Sequence, residues 1–281
     1  MKVAIVADRI GWEERRLIDA AGARGLAAFW LDDGDLCAGP AAEGVPPADL
    51  YLVRSRGYTR SAVLAGLLGD RDERVVNTAA AIAICQDKLA TARALHAAGV
   101  PVPPFRVVLT RRDLARALGE LGLPCVLKPI LGGLGRRVLL IRDRDLADAA
   151  YDYVEQFAGG FDRVLLAQPF LPGGDERAFV VGGRVVAAYR RVAGSDWRAN
   201  LATGGAAERI DADAELTALA TAAAGATGAE IFALDVLRDA AGRRFVNEIN
   251  HVPQFRGGAE ATGVDLAAAV LDHLAGHRTV A

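Results

Sequence analysis

Short apolar runs alternate with amphipathic stretches through the first 85 residues, and this alternation constrains the fold more tightly than any other feature of the chain. Val3 to Val6 reads as a buried strand and Leu26 to Leu31, Leu50 to Val53 and the short Val75-Val76 as further strands, with Glu13 to Arg24 and Ser61 to Leu68 as helices among them. Parallel strands need a crossover that returns the chain to the same end of the sheet, and a helix supplies it. Residues 1–85 are therefore expected to form a small parallel α/β lobe. Ligands of such lobes bind beyond the carboxyl ends of the strands, where Arg54-Ser55-Arg56 emerges. The trio reads either as a clamp for a carboxylate or as an arginine-rich solvated loop.

The pattern changes from Gln86 onward. A helix over Lys88 to Ala98 is closed by Gly99, and Pro101, Pro103 and Pro104 forbid its continuation. Strand Phe105 to Leu109, helix Arg111 to Leu121, strand Cys125 to Lys128, a glycine loop, strand Arg137 to Ile141 and helix Asp143 to Gln156 make a central α/β lobe over residues 86–166. A third lobe, 167–281, is read as a mixed sheet with strands Arg177 to Val181, Arg184 to Arg191, Ile231 to Leu237 and Arg244 to Asn250, and helices Ala214 to Ala224 and Asp265 to His273. Gly182-Gly183 between two apolar runs predicts a tight hairpin.

Composition excludes several classes. At 281 residues the chain is long enough to divide into lobes, and although 52% of it is hydrophobic, much of that is alanine. No charge-free run reaches the roughly 18 strongly apolar residues of a membrane span, and Asp8 interrupts the first apolar run before a signal-peptide core can form. Cys37, Cys85 and Cys125 are odd in number and scattered, which argues for reduced thiols in a cytoplasmic protein and against a zinc knuckle. A net charge of −2 gives no overall pull toward nucleic acid. No Gly-x-Gly-x-x-Gly, Gly-x-x-x-x-Gly-Lys-Ser/Thr or Gly-x-Ser-x-Gly is present in the required context, which sets aside dehydrogenase, P-loop and serine-hydrolase chemistry. His273 and His277 share a helix face but lack a third ligand.

Three of the 33 basic residues are lysine: Lys2, Lys88 and Lys128. Where arginine serves for most cations, a surviving lysine marks a need for a compact ammonium, or simply codon usage. Lys88 starts an expected helix and Lys128 ends a strand before Gly132-Gly133-Leu134-Gly135. Two ammonium groups beside a glycine loop suit nucleotide phosphates, because glycine lets backbone N–H groups approach phosphate oxygens. Downstream, Asp235 lies in one apolar strand and Glu248 and Asn250 share one face of another. Such a trio is either a hard-oxygen set for Mg²⁺ or buried carboxylates neutralised by an arginine such as Arg190.

Together these residues resemble the ATP-grasp fold in its RimK-like branch. The resemblance rests on Gln86-Asp87-Lys88, Leu127-Lys128-Pro129 with its glycine loop, Asp175 to Gly183, Asn200 with Gly204-Gly205, Leu234-Asp235-Val236 and Asn247-Glu248-Ile249-Asn250. Arg54-Ser55-Arg56, the Asn77 to Lys88 stretch and Asn250-His251 followed by Gln254-Phe255-Arg256 resemble the ligases that attach an amino acid to a small amino-group carrier protein in lysine or arginine biosynthesis. The resemblance implies that Lys88 and Lys128 hold the α and β phosphates of ATP under Gly132, Gly133 and Gly135. It implies that Gln168 and Leu171 frame adenine, that Asp175 reaches the ribose, and that Asp235, Glu248 and Asn250 carry Mg²⁺. Arg177, Arg190 and Asn200 would face an acyl phosphate, and Arg54, Arg56, Phe255 and Arg256 the substrates. Pro169 departs from the acidic residue usual in the linker, and Gln254-Phe255-Arg256-Gly257 departs from the acidic-Phe-basic-Asn pattern of carrier-protein ligases.

The activity implied is an ATP-dependent carboxylate–amine ligase, without a protein nucleophile, joining 2-aminoadipate, glutamate or a related amino acid to the C-terminal glutamate of a small acidic carrier. Arg54, Arg56 and Arg60 could draw in the acidic tail. A homo-oligomer, dimer or tetramer, is expected, with no nucleic-acid or membrane partner. Two alternatives stand beside it: a RimK-type ligase adding glutamate to another protein or a small cofactor, and a nucleotide-binding regulatory module without turnover.

Overall fold

A computed structural model describes residues 1–39, 42–70, 73–133, 137–157, 163–192 and 206–276. Strands β1 (Lys2–Ala7), β2 (Ala27–Asp32), β3 (Leu50–Val53) and β4 (Arg74–Val76) form a parallel sheet in the order β2-β1-β3-β4. Helices α1 (Trp12–Gly22) and α2 (Tyr58–Gly69) are its crossovers. The order reverses between β1 and β3, so the loops after these strands part there and leave a crevice at the sheet's carboxyl edge.

Two consecutive helices follow, α3 (Ala79–Gln86) and α4 (Lys88–Ala97). The alanine-rich α3 has no clear apolar stripe and escaped the sequence reading; Thr78 caps it by accepting from Ala81 N at 3.3 Å. Asp87 caps α4 by accepting from Leu89 N and Ala90 N at 2.8 and 3.0 Å. The central sheet contains β5 (Arg106–Val108), β6 (Cys125–Pro129), β7 (Leu139–Ile141) and β8 (Leu165–Pro169) in the order β5-β8-β6-β7, antiparallel throughout. One face packs Cys125, Leu127, Ile141, Leu165 and Ala167 against α5 (Arg111–Leu121) and α6 (Arg144–Phe157). The expected boundary at 166/167 falls inside β8, because Gln168 and Pro169 pair with Val126 and Cys125.

The third sheet runs β11-β10-β9-β12-β13, with β9 (Gly174–Val181), β10 (Arg184–Val192), β11 (Ala206–Arg209), β12 (Ile231–Arg238) and β13 (Arg244–Asn250). Every pairing is antiparallel rather than mixed, since β9–β10 and β12–β13 are hairpins and β9 pairs with β12 head to tail. Gly182 and Gly183 both take positive φ, +57° and +73°, as a two-residue hairpin turn requires.

This sheet is the middle layer of the molecule. Its Ala178, Val180, Phe232, Leu234, Val246 and Ile249 pack under α7 (Ala214–Thr227) and the Cys85-to-Val100 segment. Its opposite face, with Phe179, Val181, Ala187 and Ile231, shares a core with Ile5, Leu17 and Leu52 of the first lobe and with α9 (Leu266–Gly276). The short helix α8 (Arg256–Thr262) lies against β10 and β11. No described helix is long and apolar enough to cross a membrane.

Candidate active site

On the face of the third sheet that meets the first lobe, β9 changes character along its length. Phe179 and Val181 belong to the core, whereas Arg177 and Asp175, continuing the same alternation, present charges. Asp235 lies directly opposite Arg177, and Glu248 directly opposite Asp235. That last pairing depends on a β-bulge: Asp235 pairs with Glu248 but Val236 pairs with Val246, leaving Asn247 unmatched. Val246 and Ile249, three residues apart, thereby both face the α7 side, while Glu248 and Asn250 face the charged side with Asp235. Without the extra residue, strict alternation from Val246 would have sent Glu248 into the hydrophobic core.

Four charges interlock there. Arg177 donates two bonds to Asp235, Nε to Oδ1 and Nη2 to Oδ2, both 2.6 Å. Arg191 Nη2 lies 3.1 Å from Asp235 Oδ2, and its Nε donates to Asp175 Oδ1 at 2.9 Å. Burial works against both carboxylates, but the two guanidiniums more than compensate at Asp235 and hold its carboxyl below the usual range. Asp175 has the weaker support, and burial pushes it up to about 6. In the orientation that satisfies its neighbours, the Asn250 amide donates to Glu248 Oε1 at 3.3 Å and accepts from Arg177 Nη2 at 3.2 Å.

Both lysines reach the same strand. Lys88 lies beside the glycine loop because its N–H donates to Ile130 O at 2.9 Å and Asp87 bridges to Leu131. Its ammonium donates to Gly132 O and stands 3.9 Å from Glu248 Oε1. Gly132 holds φ at +145°, a conformation a side chain would strain. Lys128, from β6, donates to Asn247 Oδ1 at 2.9 Å and is only 4% exposed. Burial pushes its ammonium down to about 8, with Glu248 opposing the shift and Lys88 adding to it.

Val126, Leu140 and Gln168 are cross-strand partners and share the face of the central sheet that Lys128 occupies. Farther along that face is a cavity of about 450 Å³ lined by Leu123, Pro124, Leu140, Arg142 and Phe170. The linker at its edge has few free donors: Pro169 has no N–H, and that of Phe170 is taken by Pro124 O at 3.0 Å. Leu171 is the next N–H in line.

Residues 85–274 match the family model of the RimK-like ATP-grasp domain, and residues 3–84 match that of the LysX preATP-grasp domain. The chain belongs to the RimK-like ATP-grasp family. It is an ATP-dependent, amide-forming ligase. A glutamate–LysW ligase, ArgX, of Sulfolobus acidocaldarius is 26% identical over 98% of this chain and 98% of its own. An α-aminoadipate–LysW ligase, LysX, of Sulfurisphaera tokodaii is 26% identical over 91% of this chain and 92% of its own. The crystal structure of a RimK domain ATP-grasp protein from Sphaerobacter thermophilus superposes with a TM-score of 0.79 at 31% identity, covering 98% of this chain and 100% of that one.

Within this RimK-like chain, several residues expected at the site stand elsewhere. Arg190 lies opposite Glu176 and on its face of the sheet, 4.0 Å from its carboxylate, because alternation along β10 turns Arg191 rather than Arg190 toward Asp235. Arg54 is buried: it pairs with Glu14 at 2.9 Å, donates to Pro253 O at 3.2 Å and stacks over Phe255. Phe255 is a core residue, edge-on to Trp12 and Phe179. Arg56 pairs with Asp8, Arg60 with Asp33 and Arg256 with Glu260. Arg54, Arg56 and Arg60 thus neutralise acids of their own lobe, and Arg54 with Phe255 fastens the segment after β13 to it. Gly135, Asn200, Gly204-Gly205 and His277 lie outside the described residues. His273 pairs with Glu230 at 2.9 Å, away from the charged cluster.

The sequence assigned no role to Arg191, Asn247 or Asn77, although Asn247 and Asn77 lie in the motifs that carry the resemblance. Asn77 accepts from Glu230 N and Ile231 N at 2.8 and 3.1 Å and donates to Ile231 O and His251 O at 2.7 and 3.1 Å, clipping the first lobe to the third sheet. Its position in a Val-Asn-Thr step after a strand was the available signal.

Proposed function

We propose that the chain activates a carboxylate as an acyl phosphate with ATP and joins it to the amino group of glutamate, 2-aminoadipate or a related amino acid, the carboxylate being the C-terminal glutamate of a small acidic carrier protein. The observation that carries the chemistry is the convergence of two buried lysines from separate elements, Lys88 and Lys128, on β13, the strand that also bears Glu248 and Asn250. Phosphoryl transfer asks mainly for positioning and charge neutralisation, and this cluster contains cations, oxygens and loop amides with no cysteine or serine nucleophile among the residues described in it. For the acceptor, support comes from the names of the two LysW ligases, which match this chain across nearly the full length of both partners.

In this reading Lys88 and Lys128 hold phosphate oxygens, with Gly132, Gly133 and Gly135 over them. Gln168, Leu171 and the cavity beside Phe170 receive the adenosine, and Asp175 faces the ribose. Arg177 and Arg191 neutralise the transferring phosphoryl group. Asp235, Glu248 and Asn250 offer hard oxygens from neighbouring strands on one sheet face, a donor set that suits Mg²⁺ in kind. Bound there, Mg²⁺ would supply charge neutralisation for the nucleotide phosphates.

The test is intact-protein mass spectrometry after incubating the enzyme with MgATP, an acidic carrier protein ending in glutamate, and a panel of amino acids including glutamate and 2-aminoadipate. An ATP-dependent gain of one amino-acid residue on the carrier is expected. Ligation of glutamate to other acceptors with an untouched carrier would replace this reading by the general glutamate ligase, and absence of any ADP release would leave a regulatory nucleotide-binding module.

A further inference from the structure

Asn247 is placed where no pairing requirement put it. It is the unmatched residue of the β13 bulge, and its carboxamide oxygen accepts from Lys128 Nζ at 2.9 Å and from Gln168 Nε2 at 3.1 Å. Two donors fill the two lone pairs of that oxygen and fix the orientation of the amide. Both donors come from the central sheet, Lys128 from β6 and Gln168 from β8, whereas Asn247 belongs to the third sheet, so one side chain ties the two sheets together between the glycine loop and the linker.

We infer that Asn247 is a positioning residue for nucleotide binding: it pins the Lys128 ammonium and the Gln168 amide to the strand that carries Glu248 and Asn250. The inference rests on the reading of Lys128 as a phosphate-holding group. A buried ammonium on a flexible four-carbon stem needs an acceptor to fix its place. A carboxylate would do this but would also cancel the charge that phosphate is to meet; an amide oxygen holds the lysine and leaves its charge available. Glu248, the next residue, supplies the long-range attraction without occupying the ammonium, whose one hydrogen bond among the described residues goes to Asn247.

The experiment is calorimetric titration of the full chain with the ATP analogue AMPPNP and Mg²⁺, using Asn247→Ala, Lys128→Met and the double variant, together with steady-state KM values. Asn247→Ala removes the carboxamide without adding bulk at the bulge; Asn247→Leu, closer in size, is the second variant should the alanine fold poorly. Each single substitution is expected to weaken AMPPNP binding at least about tenfold, and the double variant to bind within about threefold of Lys128→Met alone, since with Lys128 gone Asn247 has only the Gln168 amide left to hold. KM for ATP should rise while KM for the amino acid stays within about twofold of wild type. Independent, multiplying losses, or a rise confined to the amino-acid KM, would overturn the role given to Asn247. If Lys128→Met itself binds AMPPNP as wild type does, the phosphate-holding reading of the lysine fails, and this inference fails with it.

Discussion

At the scale of the residue, the site is decided by which of two adjacent arginines faces it. Arg190 and Arg191 are indistinguishable by type, and only the register of β10 against β9, Arg190 opposite Glu176 and Arg191 opposite Asp175, separates them. Arg191→Met is expected to lower kcat/KM by about a hundredfold, or about 2.7 kcal/mol of transition-state stabilisation, and Arg190→Met by less than about threefold; steady-state ADP release compares them. Equal losses would mean that both faces of β10 serve catalysis. Lys128 carries a second residue-scale consequence. Its ammonium, pushed down to about 8 by burial, is charged below that pH and neutral above it in the free protein. Phosphate binding selects the charged form, so affinity for an ATP analogue should be level below pH of about 8 and weaken above it, approaching about tenfold per pH unit, with proton uptake on binding. Titrations in buffers of different ionisation enthalpy measure that uptake. Affinity unchanged up to a pH of about 9.5 would remove Lys128 from the phosphate site.

At the scale of the element, small irregularities do what regular periodicity cannot. The bulge at Asn247 rotates the end of β13 so that Glu248 and Asn250 join Asp235. Helix α8 offers a second case. A Cβ on Gly258 would lie 2.8 Å from Cε1 of Tyr189, a buried ring on β10 directly opposite Arg177. Gly258→Ala therefore has to displace either the helix or the ring, at a cost of about 1–3 kcal/mol, and a displaced Tyr189 presses on Arg177. A lower urea midpoint accompanied by reduced turnover is expected; an unchanged midpoint would show that α8 is seated loosely enough to move aside.

At the scale of the whole molecule, the three sheets are not three independent lobes. The first sheet shares one apolar core with the third, and Asn77 stitches the two together with four hydrogen bonds. The thiols report on this packing. Cys37 is exposed, whereas burial pushes Cys85 up to about 12 and Cys125 up to about 11. Cys85 lies in the core beneath α7 and Cys125 in the core beneath α5 and α6. A thiol reagent at pH of about 8 should label one cysteine per chain quickly and the other two only after denaturant is added. Rapid labelling of all three in the native protein would mean that these cores open locally.

The local pattern alone carried the α/β class, the parallel strands of the first lobe, the hairpin at Gly182-Gly183 and the placing of Asp235 and Glu248 in separate apolar strands, because strand alternation, turn chemistry and helix caps are encoded over a few residues. Alternation also made Glu248 and Asn250 neighbours on one face. It could not say which face, since Val246 and Ile249 are both apolar and only the bulge reconciles them. The tertiary structure decided that Arg191 enters the cluster in place of Arg190, that Arg54 and Phe255 are spent on holding the segment after β13, and that Lys128 meets Asn247. These outcomes depend on strand register and on what packs against each face, quantities set by contacts between residues far apart in the chain, and a local pattern carries no record of them.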